Sequence, residues 1–301
     1  MRPLSHTARV CYPPPNVMSV AVCILIHGAA GFFEAGREAA HSLLRHTSFP
    51  LFIAHDGAHS LDLPASPRLT FHRLPPLSPS VHRARRFLLK FTALQALLNS
   101  SRADRILMMD ADTVVTRRLS ERMIRLAMGP HPLAMVEQTG ITGSTMSRRE
   151  FLAHYTRHTL ALLAPGAPPP PIERFRYFNS GVVLGVREEW NRLVTWALTA
   201  IAGHAGEHQV GEHMIADQDY FQYWANTLHP GCCAELPWCW NHCEHWDAGF
   251  PRPGVLLAHF SNFCNGPAPG TSARMRALAR TPRWKLWLSR VTHRRPWQVP
   301  S

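Results

Sequence analysis

Short apolar runs alternate with segments of helical periodicity along the first half of the chain. Helices are predicted at Phe33–His46, Arg83–Leu98 and Ser120–Met128. The continuous apolar runs between them predict strands buried on both faces, at Val20–Ile26, Leu51–Ala54, Ile106–Met109 and Leu133–Val136. Strands that alternate with helices of this length favour a parallel, doubly wound α/β sheet.

The second half continues this alternation around a proline-rich break. The segment PGAPPPP, residues 165–171, suits neither a helix nor a central strand and predicts an exposed, extended connection. Strands are expected at 177–185 and 255–260, and helices at Arg149–Leu163, Glu188–Ala202 and Asp217–Leu228. With 301 residues, the chain has room for one large α/β domain or two small ones.

Two aspartates, Asp110 and Asp112, directly follow the apolar run Ile106–Met109. Along a strand both would point to the same side, where two carboxylates repel each other. A divalent cation or a shared proton resolves that conflict. In doubly wound sheets ligands bind beyond the carboxyl ends of the strands, where Asp56 also falls, so all three aspartates are candidate ligand-binding residues.

Two chemistries fit this aspartate pair. In one, both carboxylates hold a cation that bridges the phosphates of a nucleotide diphosphate. In the other, ILMMDADTV is the signature of an aspartate-nucleophile phosphohydrolase, with Asp110 as the nucleophile and Asp112 as the acid/base. An Asp-x-Asp pair alone does not distinguish them.

Charge is distributed unevenly along the chain. The formal net charge is +12, and no acidic residue follows Asp247. The segment RTPRWKLWLSRVTHRRPW near the C-terminus combines basic residues with Trp284, Trp287 and Trp297, a composition typical of segments that bind a membrane surface. A docked C-terminal helix with one solvated face fits the same composition. Because no nucleic-acid recognition module is visible, an anionic membrane or phosphate partner is favoured over nucleic acid.

Several stretches in the same order resemble one enzyme family. MDADTVV at 109 is similar to the metal-binding strand of retaining GT-A glycosyltransferases of family 8, the glycogenin, galactinol synthase and bacterial lipooligosaccharide galactosyltransferase type. YFNSGVVLG at 177, DQDYF at 217 and LAHF at 257 match the same family, and LPWCWN at 236 resembles its Leu-Pro-x-x-x-Asn segment. A phosphohydrolase would carry its aspartates near the N-terminus, whereas a βαβ unit precedes them here, so the glycosyltransferase hypothesis is preferred.

The resemblance implies a fold and a division of the chain. It implies a GT-A fold, a Rossmann-like doubly wound mixed sheet flanked by helices, in a single domain over residues 17–270. The nucleotide-sugar half would cover about 17–136 and the acceptor half about 137–270. Residues 1–16 would form an N-terminal extension, and residues 271–301 a basic, tryptophan-containing tail.

The resemblance also implies roles for individual residues. The metal, Mn²⁺ or Mg²⁺, would be held by Asp110, Asp112 and His259. The remaining roles would fall to two groups of residues. Contacts to the nucleotide-sugar donor would come from Asp112, Lys90, Arg86, Asn179, Ser180 and Asp56. The reacting sugar would face Asp217, Gln218 and Asp219.

The implied reaction is transfer of a hexose from a nucleotide sugar, a UDP-sugar, to a glycan, a lipid-linked glycan or a protein, with retention of configuration. The chain departs from the family after His259, where relatives carry a lysine that neutralises the diphosphate; here Arg274 or Arg276 would have to replace it. A third hypothesis is therefore an inactive, basic protein that binds membrane surfaces. A cytoplasmic location, peripheral to a membrane, is expected, and the Golgi lumen stays open.

Overall fold

The computed structural model describes residues 19–75, 86–138, 146–204, 209–210, 213–246, 250–261 and 267–281. The strands, numbered β1 to β12, are Val20–Ile26, Leu51–His55, Leu69–Arg73, Arg105–Asp110, Thr113–Val115, Leu133–Glu137, Phe178–Val186, Gln209–Val210, His213–Met214, Cys233–Leu236, His242–Cys243 and Leu257–His259. The helices, numbered α1 to α8, are Ala30–His46, Leu89–Ser100, Glu121–Met128, Arg148–Tyr155, Ala161–Leu163, Arg187–Gly203, Asp217–Tyr223 and Thr271–Arg280. A π-helical turn, Thr156–Leu160, joins α4 to α5, and another, Trp224–Leu228, continues α7.

A central sheet organises the described part of the chain. Its strand order is β10-β6-β7-β4-β1-β2-β3, so the chain winds outward in both directions from the middle of the sheet. A smaller sheet of order β11-β12-β5 lies at the end of β4. This architecture confirms the predicted doubly wound, mixed α/β sheet flanked by helices.

Strand β7 makes the central sheet mixed, as the resemblance implied, whereas the alternation of strands and helices alone favoured a parallel sheet. It runs antiparallel to both of its neighbours, β4 and β6. The proline-rich connection that precedes β7 brings the chain back to the edge of the sheet where β6 ends, so that Phe178 lies opposite Glu137. The register between the two strands shifts between Met135 and Val136, a bulge of the kind that re-aims side chains beside functional sites. The first residues of β7 therefore lie at the carboxyl edge of β4.

Two short strands differ from the sequence-based expectations. β3 was not predicted, because it is an edge strand whose side chains are largely exposed, including Phe71 at 48%. The expected core strand at 255–260 is shorter, Leu257–His259, and belongs to the small sheet, where it pairs with β5 rather than joining the central sheet. The small sheet could not be inferred from periodicity because three residues are too few to show it.

The core lies on both faces of the central sheet. Strand β1 shows why: alternate residues Val22 and Ile24 face the layer formed by α1, while Ala21 and Cys23 face the layer formed by α2, α6 and α7. Full burial of a valine or isoleucine side chain contributes about 1.5–3 kcal/mol. These two apolar layers fix the orientation of β1 and β4, and with it the position of the residues at their carboxyl ends.

The start of the basic C-terminal region packs against the domain. Met275 and Leu278 of α8 are buried in the core, and the guanidinium of Arg276 donates to Glu38 of α1 at 2.7 Å. The predicted N-terminal extension, 1–16, and residues 282–301 of the predicted tail lie outside the described residues. No helix in the ranges described is both long and apolar enough to cross a membrane.

Candidate active site

Asp110 and Asp112 lie at the carboxyl end of β4, where the central sheet meets the small one. Asp110 is the last residue of β4, and β5 begins at Thr113, so Ala111 and Asp112 form the turn between the two strands. Asp112 is buried and Asp110 is partly exposed. The turn, rather than the strand alternation expected from the sequence, brings the two carboxylates together.

Strand pairing brings His259 to the same point. β12 runs antiparallel to β5 with His259 opposite Thr113, and the backbone N–H of Phe260 donates to the carbonyl of Asp112 at 2.9 Å. Nε2 of His259 lies 3.2 Å from Oδ1 of Asp112 and 3.7 Å from Oδ2 of Asp110. Potential ligand atoms of the three residues all lie within 4.8 Å of one another. Two carboxylates and one imidazole are a suitable donor set for Mn²⁺ or Mg²⁺, so these residues fit the expected metal.

Mutual electrostatic effects tie the three residues together. Burial acts to raise the pKa of Asp112, but the neighbouring His259 lowers it below its ordinary value. Burial acts to lower the pKa of His259, but Cys243 and Asp112 raise it well above its ordinary value. The pKa of Asp110 is raised, chiefly by burial, against the opposing effect of Lys90. Two adjacent carboxyl groups thus have pKa values that are shifted in opposite directions.

Lys90 connects this cluster to the start of α7. Its ammonium is buried and lies 2.6 Å from Oδ1 of Asp110 and 2.5 Å from Oδ2 of Asp217. It also donates to the carbonyl of Ser180 at 3.3 Å. Burial alone would lower the pKa of Lys90, but the two carboxylates raise it above its ordinary value, so the side chain is a fixed positive charge. In this structure Lys90 holds two carboxylates in place.

Asp217 and Gln218 face the first residues of β7. The hydroxyl of Ser180 donates to Oδ2 of Asp217 at 2.8 Å. Oε1 of Gln218 accepts the backbone N–H of Ser180 at 3.3 Å and the side-chain amide of Asn179 at 3.4 Å. The structure therefore brings these four predicted residues together, next to the aspartate–histidine cluster.

The other predicted residues lie further out. Asp219 is buried, and its carboxylate accepts hydrogen bonds from the hydroxyl of Thr159 at 2.5 Å and from the backbone N–H of Ala216 at 2.9 Å, which anchors the start of α7. Asp56 accepts the backbone N–H of Gly28 at 2.7 Å and so shapes the turn after β1. The guanidinium of Arg86 lies against the same turn, since a Cβ at Gly28 would be 2.9 Å from it.

His27 was not predicted from the sequence. It follows β1, is 5% exposed, and lines a cavity together with Lys90, Asp110, Asp112 and His259. Its ring stacks on Phe32 and meets Phe87 edge-on, with centroid distances of 5.4 and 5.5 Å. Nδ1 has no hydrogen-bond partner among the described residues. The sequence did contain a signal for His27, since it is a polar residue at the carboxyl end of a buried central strand.

Comparison with known proteins identifies the family. The model for "Glycosyl transferase family 8" matches residues 82–245, just over half of the chain. The chain belongs to glycosyl transferase family 8. The predicted family is therefore confirmed, and the protein is a glycosyltransferase rather than a phosphohydrolase. The family 8 match contains Asp110, Asp112 and Asp217 and ends before His259, whose place in the site rests on the geometry.

Solved structures similar to this family 8 chain are also glycosyltransferases. An active-site mutant of LgtC, with glutamate in place of glutamine, is 16% identical, covers 88% of this chain and 99% of its own, and has a TM-score of 0.50. The galactosyltransferase LgtC with donor and acceptor sugar analogues is 14% identical, with coverage of 87% and 99% and a TM-score of 0.48. Apo xyloside xylosyltransferase 1 from mouse is 17% identical, with coverage of 83% and 100% and a TM-score of 0.48. The LgtC mutant supports the GT-A fold. Comparison with curated protein sequences gives no match.

Arg274 and Arg276, the residues expected to replace the family 8 lysine, both have carboxylate partners. Arg276 pairs with Glu38 at 2.7 Å. Arg274 pairs with Glu244, and its guanidinium lies 5.1 Å from the centre of the Phe260 ring. Because Phe260 directly follows His259, Arg274 packs beside the end of β12, the strand that carries His259.

Proposed function

We propose that this family 8 enzyme is a metal-dependent glycosyltransferase that transfers a hexose from a UDP-sugar to a glycan, a lipid-linked glycan or a protein, with retention of configuration. The observation that carries the proposal is the convergence of Asp110, Asp112 and His259 within 4.8 Å of one another, beside the Lys90–Asp217 ion pair. The group of Asp110, Asp112 and His259 suits a cation, and the Lys90–Asp217 pair suits a sugar.

The metal would be held by Asp110, Asp112 and His259. When bound, Mn²⁺ or Mg²⁺ would supply positive charge to the two phosphates of the donor and to the diphosphate that leaves. The protein contributes preorganisation: Lys90 holds Asp110 at 2.6 Å, so that this carboxylate is already oriented before a cation arrives. The aromatic group of His27, Phe32 and Phe87 lines the cavity beside these residues and offers a surface for the nucleotide.

The sugar would lie between the first residues of β7 and the start of α7. Asp217 is fixed by Lys90 and Ser180, which orients its carboxylate for sugar hydroxyls. The amide oxygen of Gln218 is held by Ser180 and Asn179, so its position relative to Asp217 is fixed. Retention requires a covalent sugar–enzyme ester or attack on the face of the departing diphosphate. In the second case a diphosphate oxygen accepts the proton of the acceptor hydroxyl, and no separate base is needed.

The charge of the C-terminal region supports a proposal for the acceptor and for the cellular location. The basic, tryptophan-containing region after α8 supports the proposal that the enzyme works at an anionic membrane surface in the cytoplasm. A lipid-linked glycan is the acceptor that such a surface would present. Anomeric analysis of the product by NMR tests retention.

The deciding experiment is isothermal titration of UDP into the protein with Mn²⁺, with EDTA, and with Asp112→Asn. Binding is expected only with Mn²⁺ and intact Asp112. Asp62→Asn is the matched control, since Asp62 is exposed and its carboxylate accepts a hydrogen bond from the hydroxyl of nearby Ser60. Absence of UDP binding by the folded protein with Mn²⁺ would rule out a UDP donor. Equal binding in EDTA would rule out metal dependence.

A further inference from the structure

We propose that three side-chain amides, those of Asn241, Asn179 and Gln218, form an amide relay that fixes the tautomer of His259 and links it to the sugar-facing glutamine. Asn241 belongs to the LPWCWN stretch and has no assigned role. In this inference it is the positioning residue of the metal histidine. The inference rests on the proposed function for its meaning in catalysis, while its structural part can be tested without any substrate.

Backbone donors fix the direction of the relay. The N–H of Gly181 donates to Oδ1 of Asn179 at 2.9 Å, and the N–H of Ser180 donates to Oε1 of Gln218 at 3.3 Å. Because a backbone N–H can only donate, both atoms that receive it must be oxygens. The NH₂ group of Asn179 then faces Oε1 of Gln218 at 3.4 Å, in agreement with both assignments.

The same logic extends to His259. Since Oδ1 of Asn179 is an acceptor, Asn241 must present its NH₂ group to it, at 2.7 Å. The oxygen of Asn241 therefore faces Nδ1 of His259 at 3.0 Å. This oxygen can only accept, so in the neutral imidazole Nδ1 carries the hydrogen and Nε2 is the nitrogen left to bind a cation beside Asp110 and Asp112. In the opposite tautomer an Nε2–H would bond to Asp112, 3.2 Å away, and would occupy the position of the metal.

The surroundings leave no simple substitute for Asn241. Its side chain is fully buried, and Asn179 and His259 are 8% and 3% exposed. The other neighbour of Nδ1 is the thiol of Cys243 at 3.3 Å, which also lies 3.5 Å from the oxygen of Asn241. A thiol is a weak partner and can donate to that oxygen, so Cys243 fits the same tautomer without determining it. Loss of such a partner of a metal-binding histidine typically lowers metal affinity ~10- to 100-fold.

Three variants separate the links of the relay. Asn241→Leu removes both hydrogen bonds. Asn241→Asp keeps an acceptor for Nδ1–H and loses the donor to Asn179. Cys243→Ala removes the thiol and leaves the relay intact. Mn²⁺ affinity is measured by isothermal titration. The tautomer is read, at a pH high enough to leave His259 neutral, from side-chain ¹⁵N shifts in protein labelled with [¹⁵N]histidine, where the His259 signals are those missing in His259→Asn.

The relay predicts an Nδ1–H signature for His259 in the unaltered protein and in Cys243→Ala, with unchanged Mn²⁺ affinity in the latter. For Asn241→Leu, Mn²⁺ affinity is expected to fall ~10- to 100-fold, with loss of that signature. For Asn241→Asp, Mn²⁺ affinity should stay within about threefold, while kcat for UDP-sugar turnover falls at least ~10-fold because Asn179, which helps to hold Gln218, loses the donor that orients it.

Two results would overturn the relay. One is an Nε2–H signature in the unaltered protein, and the other is unchanged Mn²⁺ affinity and tautomer in Asn241→Leu. If Asn241→Leu does not fold, Asn241→Asp decides, because a fall in Mn²⁺ affinity beyond ~10-fold there contradicts the acceptor role. Failure of UDP binding with the tautomer as expected would refute the proposed function and leave the relay standing.

Discussion

Replacement of Gly181 by alanine tests whether His259 is held where the metal site needs it. Gly181 lies in β7, directly behind the histidine ring. A Cβ at this position would be 2.5 Å from Nδ1 of His259, closer still to Cε1, and 2.9 Å from Oδ1 of Asn179. The φ angle of Gly181 lies outside the left-handed region that favours glycine, so the substitution acts through this contact alone.

The size of the effect follows from the space available. Ordinary contact needs at least 3.4 Å, so the imidazole must move by about 1 Å. Asn241 and Cys243 pack on its Nδ1 side, and only a shift of the ring relative to Asp112 is left. Displacement of one of three metal ligands should cost ~10- to 100-fold in Mn²⁺ affinity, or about 1.4–2.7 kcal/mol. Overpacking should lower the free energy of unfolding by about 1–3 kcal/mol.

The assay is isothermal titration of Mn²⁺, with urea unfolding alongside. Gly203→Ala is the matched control, because a Cβ there meets nothing within 4 Å, and it should leave Mn²⁺ affinity unchanged. Unaltered Mn²⁺ affinity in Gly181→Ala would show that His259 either is not a ligand or is free to move, and the site geometry described above would then be wrong.

Three further outcomes are expected. Lys90→Met leaves the buried Asp217 and the partly exposed Asp110 without their cation and should lower the free energy of unfolding in urea by ~3–5 kcal/mol; an unchanged value would contradict the ion pairs. Burial lowers the pKa of His27 to about 4, so the unfolded chain binds more protons below pH 6.5 and stability is lost as pH falls toward 4, by about 2 kcal/mol between about pH 7 and 5. This loss should be absent in His27→Phe, and an equal loss there would contradict the shift. Deletion of 282–301 should abolish salt-sensitive binding to anionic vesicles, and vesicle binding that survives the deletion would refute the membrane role of the tail.

Elements with a strong local signal could be predicted from the sequence. The buried strands β1, β4 and β7 appear as apolar runs because helices cover both of their faces. Helix α3 begins after Ser120, whose side chain accepts the N–H of Met123, as expected for a capping serine. The aspartate pair stood out because it follows such a strand directly.

The contacts that complete the site depend on pairings between distant parts of the chain. His259 reaches Asp112 through the pairing of β12 with β5, two strands of three residues each, too short for any periodicity. Lys90 and Asp217 are separated by 127 positions and meet only because α2 and α7 pack on the same face of the sheet. The resemblance to family 8 supplied the identity of these residues, but the ion pair and the amide relay required the structure.

The charges at the site bear on how the neighbouring carboxylates of Asp110 and Asp112 avoid mutual repulsion. Asp110, Asp112 and Asp217, when ionised, carry three negative charges, and Lys90 contributes one positive charge. With His259 neutral, as a metal ligand must be, the remaining excess of two equals the charge of one divalent cation. Without that cation the conflict is visible in the carboxyl pair, since burial raises the pKa of Asp110 while His259 lowers that of Asp112 against the effect of burial. A diphosphate would be repelled by the same excess, so the proposed function requires that cation binding precede or accompany donor binding.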